Sequence, residues 1–113
     1  MVVAETVRRV KAANPRARYC CDPVMGNDHA GRFVKPGVEE AIRESLLPLA
    51  DILTPNRFEL SLLSGTAIES TAAARAAAER LRRRGTILAC TSLTVGEGMI
   101  AVLACDDDGG WLV

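Results

Sequence analysis

Asp22, Thr54, Asn56, Glu59, Thr91 and Ser92 carry oxygens and an amide, and they stand where short apolar runs stop or, for Glu59, where the next one begins. Such groups suit magnesium and the oxygens of a phosphate. TPNRFE (Thr54 to Glu59) leaves the apolar run ADIL and enters LSLL. Its Thr54-Pro55 fits a helix cap with proline at the first helical position, and Asn56 with Glu59 fits a capping box. That local role is complete in itself. A helix start placed after a strand also turns free N–H groups and a positive dipole towards the crevice, where an anion can settle. Glu59 could then hold magnesium through water, with Asn56 and Thr54 at phosphate oxygens. DPVMGND (Asp22 to Asp28) opens with Asp-Pro, an ordinary turn starter, yet Asp22 at a strand edge beside Gly26 could also organise a metal or its waters. Thr91-Ser92 closes a third apolar run with two hydroxyls, which either cap local backbone or meet phosphate.

Several chemistries are excluded. Neither G-x-x-x-x-G-K-S/T nor G-x-G-x-x-G occurs. His29 is the single histidine, in a polar loop without an orienting partner, and is expected to be solvated. Cys20, Cys21, Cys90 and Cys105 sit in apolar runs with no C-x-x-C spacing, so free buried thiols are expected and structural zinc is not. Lys plus Arg equal Asp plus Glu at 14 each, which gives no field for nucleic acid or an anionic membrane. The first 15 residues show neither a signal peptide nor a membrane span, and a cytoplasmic location is expected. Gly96 and Gly98 suit a hairpin, while Met1, Met25 and Met99 are assigned packing alone.

The elements that must position these groups follow from periodicity. At 113 residues and 49% apolar content the chain is read as one domain, or part of one, over 1–113, near the small end for its class. Val3, Val7 and Val10 predict a first helix ended by Asn14-Pro15. A strand is predicted over Ala17 to Cys21, a helix over Gly37 to Leu47, and a strand within LPLADILT. A short helix after TPNRFE should stop at Ser64-Gly65, and an alanine-rich helix should span Ser70 to Arg84 with its arginines solvated at the end. TILACTS and MIAVLAC are read as strands separated by LTVGEG, with a turn at DDDGG. Alternation of this kind predicts an α/β fold in three layers, a mostly parallel sheet with helices on both faces and a hairpin appended. Ligands gather at the carboxyl ends of strands in such sheets.

The ordered set CDPVMG (Cys21 to Gly26), LLPLADILTPNRFELSLLSG (Leu46 to Gly65) and the strand ending Thr91-Ser92 resembles the pyridoxal kinases of the ribokinase-like superfamily. The resemblance covers about Ala17 to Val113. It implies transfer of the γ-phosphoryl of ATP to the 5′-hydroxymethyl of pyridoxal, with magnesium, commonly a monovalent cation, and a homodimer. Asp22, Thr54, Thr91 and Ser92 would lie at the ATP phosphates, and Glu59 would organise magnesium with Asn56 as its companion. Many relatives have an acidic residue where this chain has Asn27, so Asn27, or Asp28 by a shift of the loop, takes that metal-proximal position. Family members are longer at both ends, so the fold is expected as a truncated ribokinase-like one. Their general base, in a Gly-x-Gly-Asp, would fall beyond Val113, leaving this chain inactive alone. The sister hydroxymethylpyrimidine (phosphate) kinases share DPVM and TPN-x-x-E, while Gly26, Phe58 and Thr91-Ser92 favour pyridoxal. A non-catalytic, nucleotide-binding remnant is the remaining alternative.

Overall fold

The computed structural model describes residues 2–113; Met1, to which packing was assigned, lies outside the described residues. Helix α1 (Val2–Ala13) forms where the valine spacing predicts it and closes with Asn14 N donating to Val10 O at 2.8 Å. The core takes Ala4 rather than the valines, and Val3 and Val10 remain about half exposed. What fastens α1 is polar: Lys11 Nζ reaches Leu49 O at 2.8 Å and Asp51 Oδ2 at 2.7 Å.

The main sheet contains β1 (Cys20–Cys21), β4 (Ile52–Leu53) and β5 (Ile87–Gly96) in parallel order, then β6 (Met99–Asp106) and β7 (Gly109–Leu112) antiparallel. A separate hairpin pairs β2 (Gly26–Asn27) with β3 (Gly31–Arg32). The predicted helix over Gly37 to Leu47 begins as α2 (Val38–Ala41), then widens into a π-turn over Ile42–Leu46 and tightens into a 3-10 turn over Leu47–Leu49. Pro48 lacks a donor and crowds the carbonyl one turn back, so regular α-helical pairing cannot continue through it. Helix α3 (Arg57–Ser64) ends at Gly65 in the left-handed conformation, φ 71°, as the sequence predicts. Helix α4 (Thr71–Leu81) stops three residues short of Arg84: Arg82 is extended and its guanidinium turns back to Asp107 and Thr86 O instead of solvating a helix end.

Two further expectations change. Met99 is 58% exposed and serves no core packing, whereas Met25 is fully buried. TILACTS does not stop at Thr91-Ser92, because β5 runs on to Gly96 through a register shift between Cys90 and Leu93. Thr91 leaves the ladder with β6 there and bridges Asn56 in parallel.

The α/β architecture is the expected one, a mixed sheet flanked by helices. Cys21, Leu53, Leu88 and Cys105 occupy one row across four strands, and all are buried in the single core that also holds Leu60, Ala74, Ala77 and Ala78. Both parallel crossovers step in the same direction, and right-handed connections of that kind lay their helices on one face. The helices between β1 and β4 and between β4 and β5 flank the sheet. The opposite row presents Ile87 and Trp111 at 45% and 51% exposure. No helix among the described residues is long and apolar enough to cross a membrane.

Candidate functional site

Backbone hydrogen bonds align three strand tips. Thr54 N donates to Cys21 O at 3.1 Å, and Thr91 N donates to Pro55 O at 3.0 Å. Asp22, Thr54 to Asn56 and Thr91-Ser92 thus lie side by side along the carboxyl edge of the parallel strands, where the sheet rule places ligands. Asp22 is exposed, and among the described residues its carboxylate takes no hydrogen bond or ion pair. Thr54 and Thr91 are half-buried and Ser92 is exposed. Ser92 has φ 61°, the one non-glycine residue among those described in the left-handed region. Backbone in that region costs on the order of 1–2 kcal/mol for a residue with a Cβ, and such strain collects at functional sites.

The capping box at α3 is present in full and extends further than the sequence indicates. Asn56 Oδ1 accepts from Glu59 N at 2.8 Å, and Glu59 Oε2 accepts from Asn56 N at 2.9 Å. The second oxygen, Glu59 Oε1, accepts from Met25 N at 3.1 Å, while Asn56 Nδ2 donates to Gly26 O at 2.9 Å. Glu59 is 3% exposed. The amides of Arg57 and Phe58, in the first turn of the same helix, have no acceptor among the described residues, which leaves α3 two donors of the kind an anion uses.

The metal expectations change accordingly. Glu59 spends both oxygens on backbone amides. Asn27 Oδ1 accepts from His29 N at 3.0 Å and Ala30 N at 2.7 Å, so it caps its own turn. Asp28 is held in a two-pronged ion pair by Arg57, at 2.9 Å from Nε and 2.6 Å from Nη2, and Arg57 Nη1 also reaches Ile68 O at 2.6 Å. Among the described residues no three carboxylate, thiolate or imidazole groups assemble into a metal centre. Asp22 is the carboxylate left open at the corner. Magnesium accepts such a setting, since it is commonly held by one or two carboxylates together with substrate phosphates and water.

Three site features escaped the sequence reading. Gly26 has no room for a side chain: a Cβ would lie 2.2 Å from Gly31 O and 2.8 Å from Phe58 Cε1. Gly26 and Phe58 are thus sterically matched, although 32 positions separate them. The Arg57–Asp28 fork joins charges with no local pattern, and the left-handed Ser92 leaves no mark in a run of hydroxyl residues. The Arg57–Asp28 pair also borders a cavity of about 320 Å³ lined with Ile68, Glu69, Ser70, Leu93 and Thr94. The thiols take no part. Burial pushes Cys90 up to about 12, with Cys105 beside it adding to the effect, and burial raises Cys21 as well. Cys20 is exposed, against the expectation that all four are buried.

The sequence model of the phosphomethylpyrimidine kinase family matches residues 1–101. The pyridoxal kinase PdxY of Rubrobacter xylanophilus is 45% identical over 118 aligned residues, covering 99% of this chain and 40% of that protein. Pyridoxal kinase from Leishmania donovani, solved in complex with ADP and pyridoxine, superposes with a TM-score of 0.83 at 34% identity, over 98% of this chain and 41% of the other. Phosphomethylpyrimidine kinase from Clostridium difficile shares the fold with a TM-score of 0.81, over 98% of this chain and 48% of its own. The chain spans about two fifths of the length of the curated relatives it matches.

Proposed function

Because the chain belongs to the phosphomethylpyrimidine kinase family, and within it resembles pyridoxal kinases at about 45% identity, we propose that the intact protein phosphorylates the 5′-hydroxymethyl group of pyridoxal with ATP. The observation that carries the reading is the alignment of three strand tips by the Thr54–Cys21 and Thr91–Pro55 backbone bonds. It brings an open carboxylate, three hydroxyl side chains and two free helix amides to one edge. Phosphoryl transfer asks a protein mainly to position and neutralise, and these groups do both without covalent participation.

In this proposal Thr54, Thr91 and Ser92 meet phosphate oxygens, Asn56 is committed to the cap and to Gly26 O rather than to phosphate, and the amides of Arg57 and Phe58 add dipole-oriented donors. Asp22 would hold magnesium together with phosphate oxygens and water. The ion would supply neutralisation of the charge on the transferring group. No general base is assigned to this chain. A monovalent cation, a homodimer and a cytoplasmic location belong to the same proposal, as does inactivity of residues 1–113 alone.

A second reading, a hydroxymethylpyrimidine (phosphate) kinase, is favoured by the family model that matches. The pair Gly26 and Phe58, in which the sequence resembles pyridoxal kinases, packs together and supports pyridoxal instead. Assaying the intact protein with both alcohols at equal concentration decides between them. Phosphorylation of pyridoxal at a kcat/KM at least about tenfold higher is expected, and the reverse preference overturns the pyridoxal assignment. A remnant that binds nucleotide without turnover is supported by the exposed sheet face around Ile87 and Trp111, which favours association in residues 1–113 alone. Calorimetry of this folded chain with ATP and magnesium tests it, and absence of binding heat removes even the nucleotide site.

A further inference from the structure

We infer that Glu59 is a positioning residue, a buried pin that docks the Asp22 loop onto the start of α3, and that it acts on bound nucleotide and cation only through that loop. The inference rests on the kinase reading for its consequence, but not for its geometry.

Glu59 is the one buried charged side chain among the described residues. A carboxylate out of water costs several kcal/mol unless its oxygens are hydrogen-bonded, and bonds to a charged acceptor are about twice as strong as neutral ones. Glu59 meets that condition with amides from two separate segments, Asn56 N in its own cap and Met25 N across the corner. Asn56 mirrors it, with Oδ1 turned inward to Glu59 N and Nδ2 outward to Gly26 O. The N–H of Met25 and the C=O of Gly26 therefore both end on the α3 cap. A capping box needs only the bonds within TPNRFE, so the two outward bonds are additional and tie together chain 30 and more residues apart.

The tie reaches Asp22 in three steps. Met25 is fully buried, Pro23 is fixed in φ by its ring, and Val24 N closes a tight turn onto Asp22 O at 2.9 Å. With Met25 pinned, little freedom remains for the Asp22 backbone. On the far side Gly26 is wedged between Phe58 and Gly31 O, which seats the β2–β3 hairpin against the same helix. Freeing Met25 N lets Asp22 drift, and misplacement of about 1 Å in such a site can cost up to 10²-fold in rate.

Two variants of the intact protein test the inference, with magnesium titrations of turnover and site-resolved amide hydrogen exchange as readouts. Glu59→Gln keeps shape but can accept only one of the two amide bonds, leaving a buried donor unpaired. Asn56→Ser keeps the cap oxygen and removes only the bond to Gly26 O. In both variants exchange at Met25 and through the β2–β3 hairpin should quicken about tenfold or more. Turnover should fall in both, and half-saturating magnesium should shift by the same factor within about twofold, because both cut one tether. Unchanged exchange at Met25 in Glu59→Gln overturns the inference. So does a magnesium shift of about tenfold in Glu59→Gln that Asn56→Ser does not share, the mark of a residue that holds the cation itself. Should Glu59→Gln fail to fold, Asn56→Ser decides alone, with unchanged hairpin exchange as the overturning result. Should the wild-type protein phosphorylate neither alcohol, the kinase reading fails while the exchange arm still decides the docking.

Discussion

At the amino-terminal edge of the sheet, Lys11 Nζ lies 2.7 Å from Asp51, whose carboxylate also accepts from Tyr19 N at 2.7 Å. Arg82 sits 2.6 Å from Asp107, which takes Gly85 N as well, and Arg83 reaches Ala50 O at 3.2 Å. At the carboxyl-terminal edge of the same strands Asp22 has no partner among the described residues, Ser92 is held at φ 61°, and two α3 amides have no acceptor. One edge matches its charges and ties its strand starts together. The other keeps an unpaired charge, strained backbone and free donors. The contrast teaches that an open carboxylate, strained backbone and free helix amides collect where a ligand could meet them, while the opposite edge carries the polar fastening of the fold. At that opposite edge Arg82 Nε is the one buried side-chain donor left without a partner among the described residues. Even at the open edge the buried layer is closed, since Glu59 and Asn56 leave no oxygen or amide of the capping box unused.

The largest effect that separates the edges is expected at Asp22. Asp22→Asn in the intact protein should lower kinase turnover by about 10²-fold, the size found when one preorganised electrostatic contact is removed. Its unfolding free energy from denaturant titration should remain within about 0.5 kcal/mol of wild type, as for surface substitutions generally. A large stability loss with intact turnover would place Asp22 with the fastening residues instead. Next in size is Ser92→Gly. Relief of the left-handed backbone should stabilise the fold by about 0.5–1 kcal/mol, read as a higher urea midpoint, while loss of the hydroxyl lowers turnover. Unchanged stability would show that the bulge is not strained.

Much of the carboxyl edge is legible in the sequence because its logic is local. Asn56, Glu59 and the terminating Gly65 obey capping rules within one helix, and that helix forms with Asn56 as its cap, so Pro55 precedes the helix instead of opening it after a Thr54 cap. The coupling of Glu59 to Met25 is not legible, since it joins residues 34 apart through a backbone amide that carries no side-chain signature. For the same reason Asn27 reads as a metal-side residue although its oxygen closes its own turn. The bulge at Thr91-Ser92 is hidden too: TILACTS and LTVGEG look like strand and connection, but Thr91 is drawn off the β6 ladder by Pro55 and Asn56 of the neighbouring strand. The amino edge was scarcely legible, because its ion pairs unite Lys11 with Asp51 and Arg82 with Asp107 from distant stretches.

The smallest effect lies at that amino edge and runs through pH. Burial alone would raise the Asp51 carboxyl, but the hydrogen bonds from Lys11 and Tyr19 N, with the charges of Lys11 and Arg18, outweigh it and hold the group below its usual value. A carboxylate depressed in the folded state adds stability that is fully present above its unfolded pKa of about 3.9 and is lost as pH falls through the folded value. Lys11→Met removes the leading opponent of burial, so the Asp51 carboxyl should rise and acid unfolding should begin at higher pH. At neutral pH the cost should be no more than about 1 kcal/mol, because the pair is partly solvated. Urea midpoints collected from pH 7 down to pH 3 should therefore converge for wild type and variant as Asp51 protonates in both. Parallel curves across that range would mean that Lys11 fastens α1 through Leu49 O alone, and the matched-charge account of the amino edge would lose its best-placed pair.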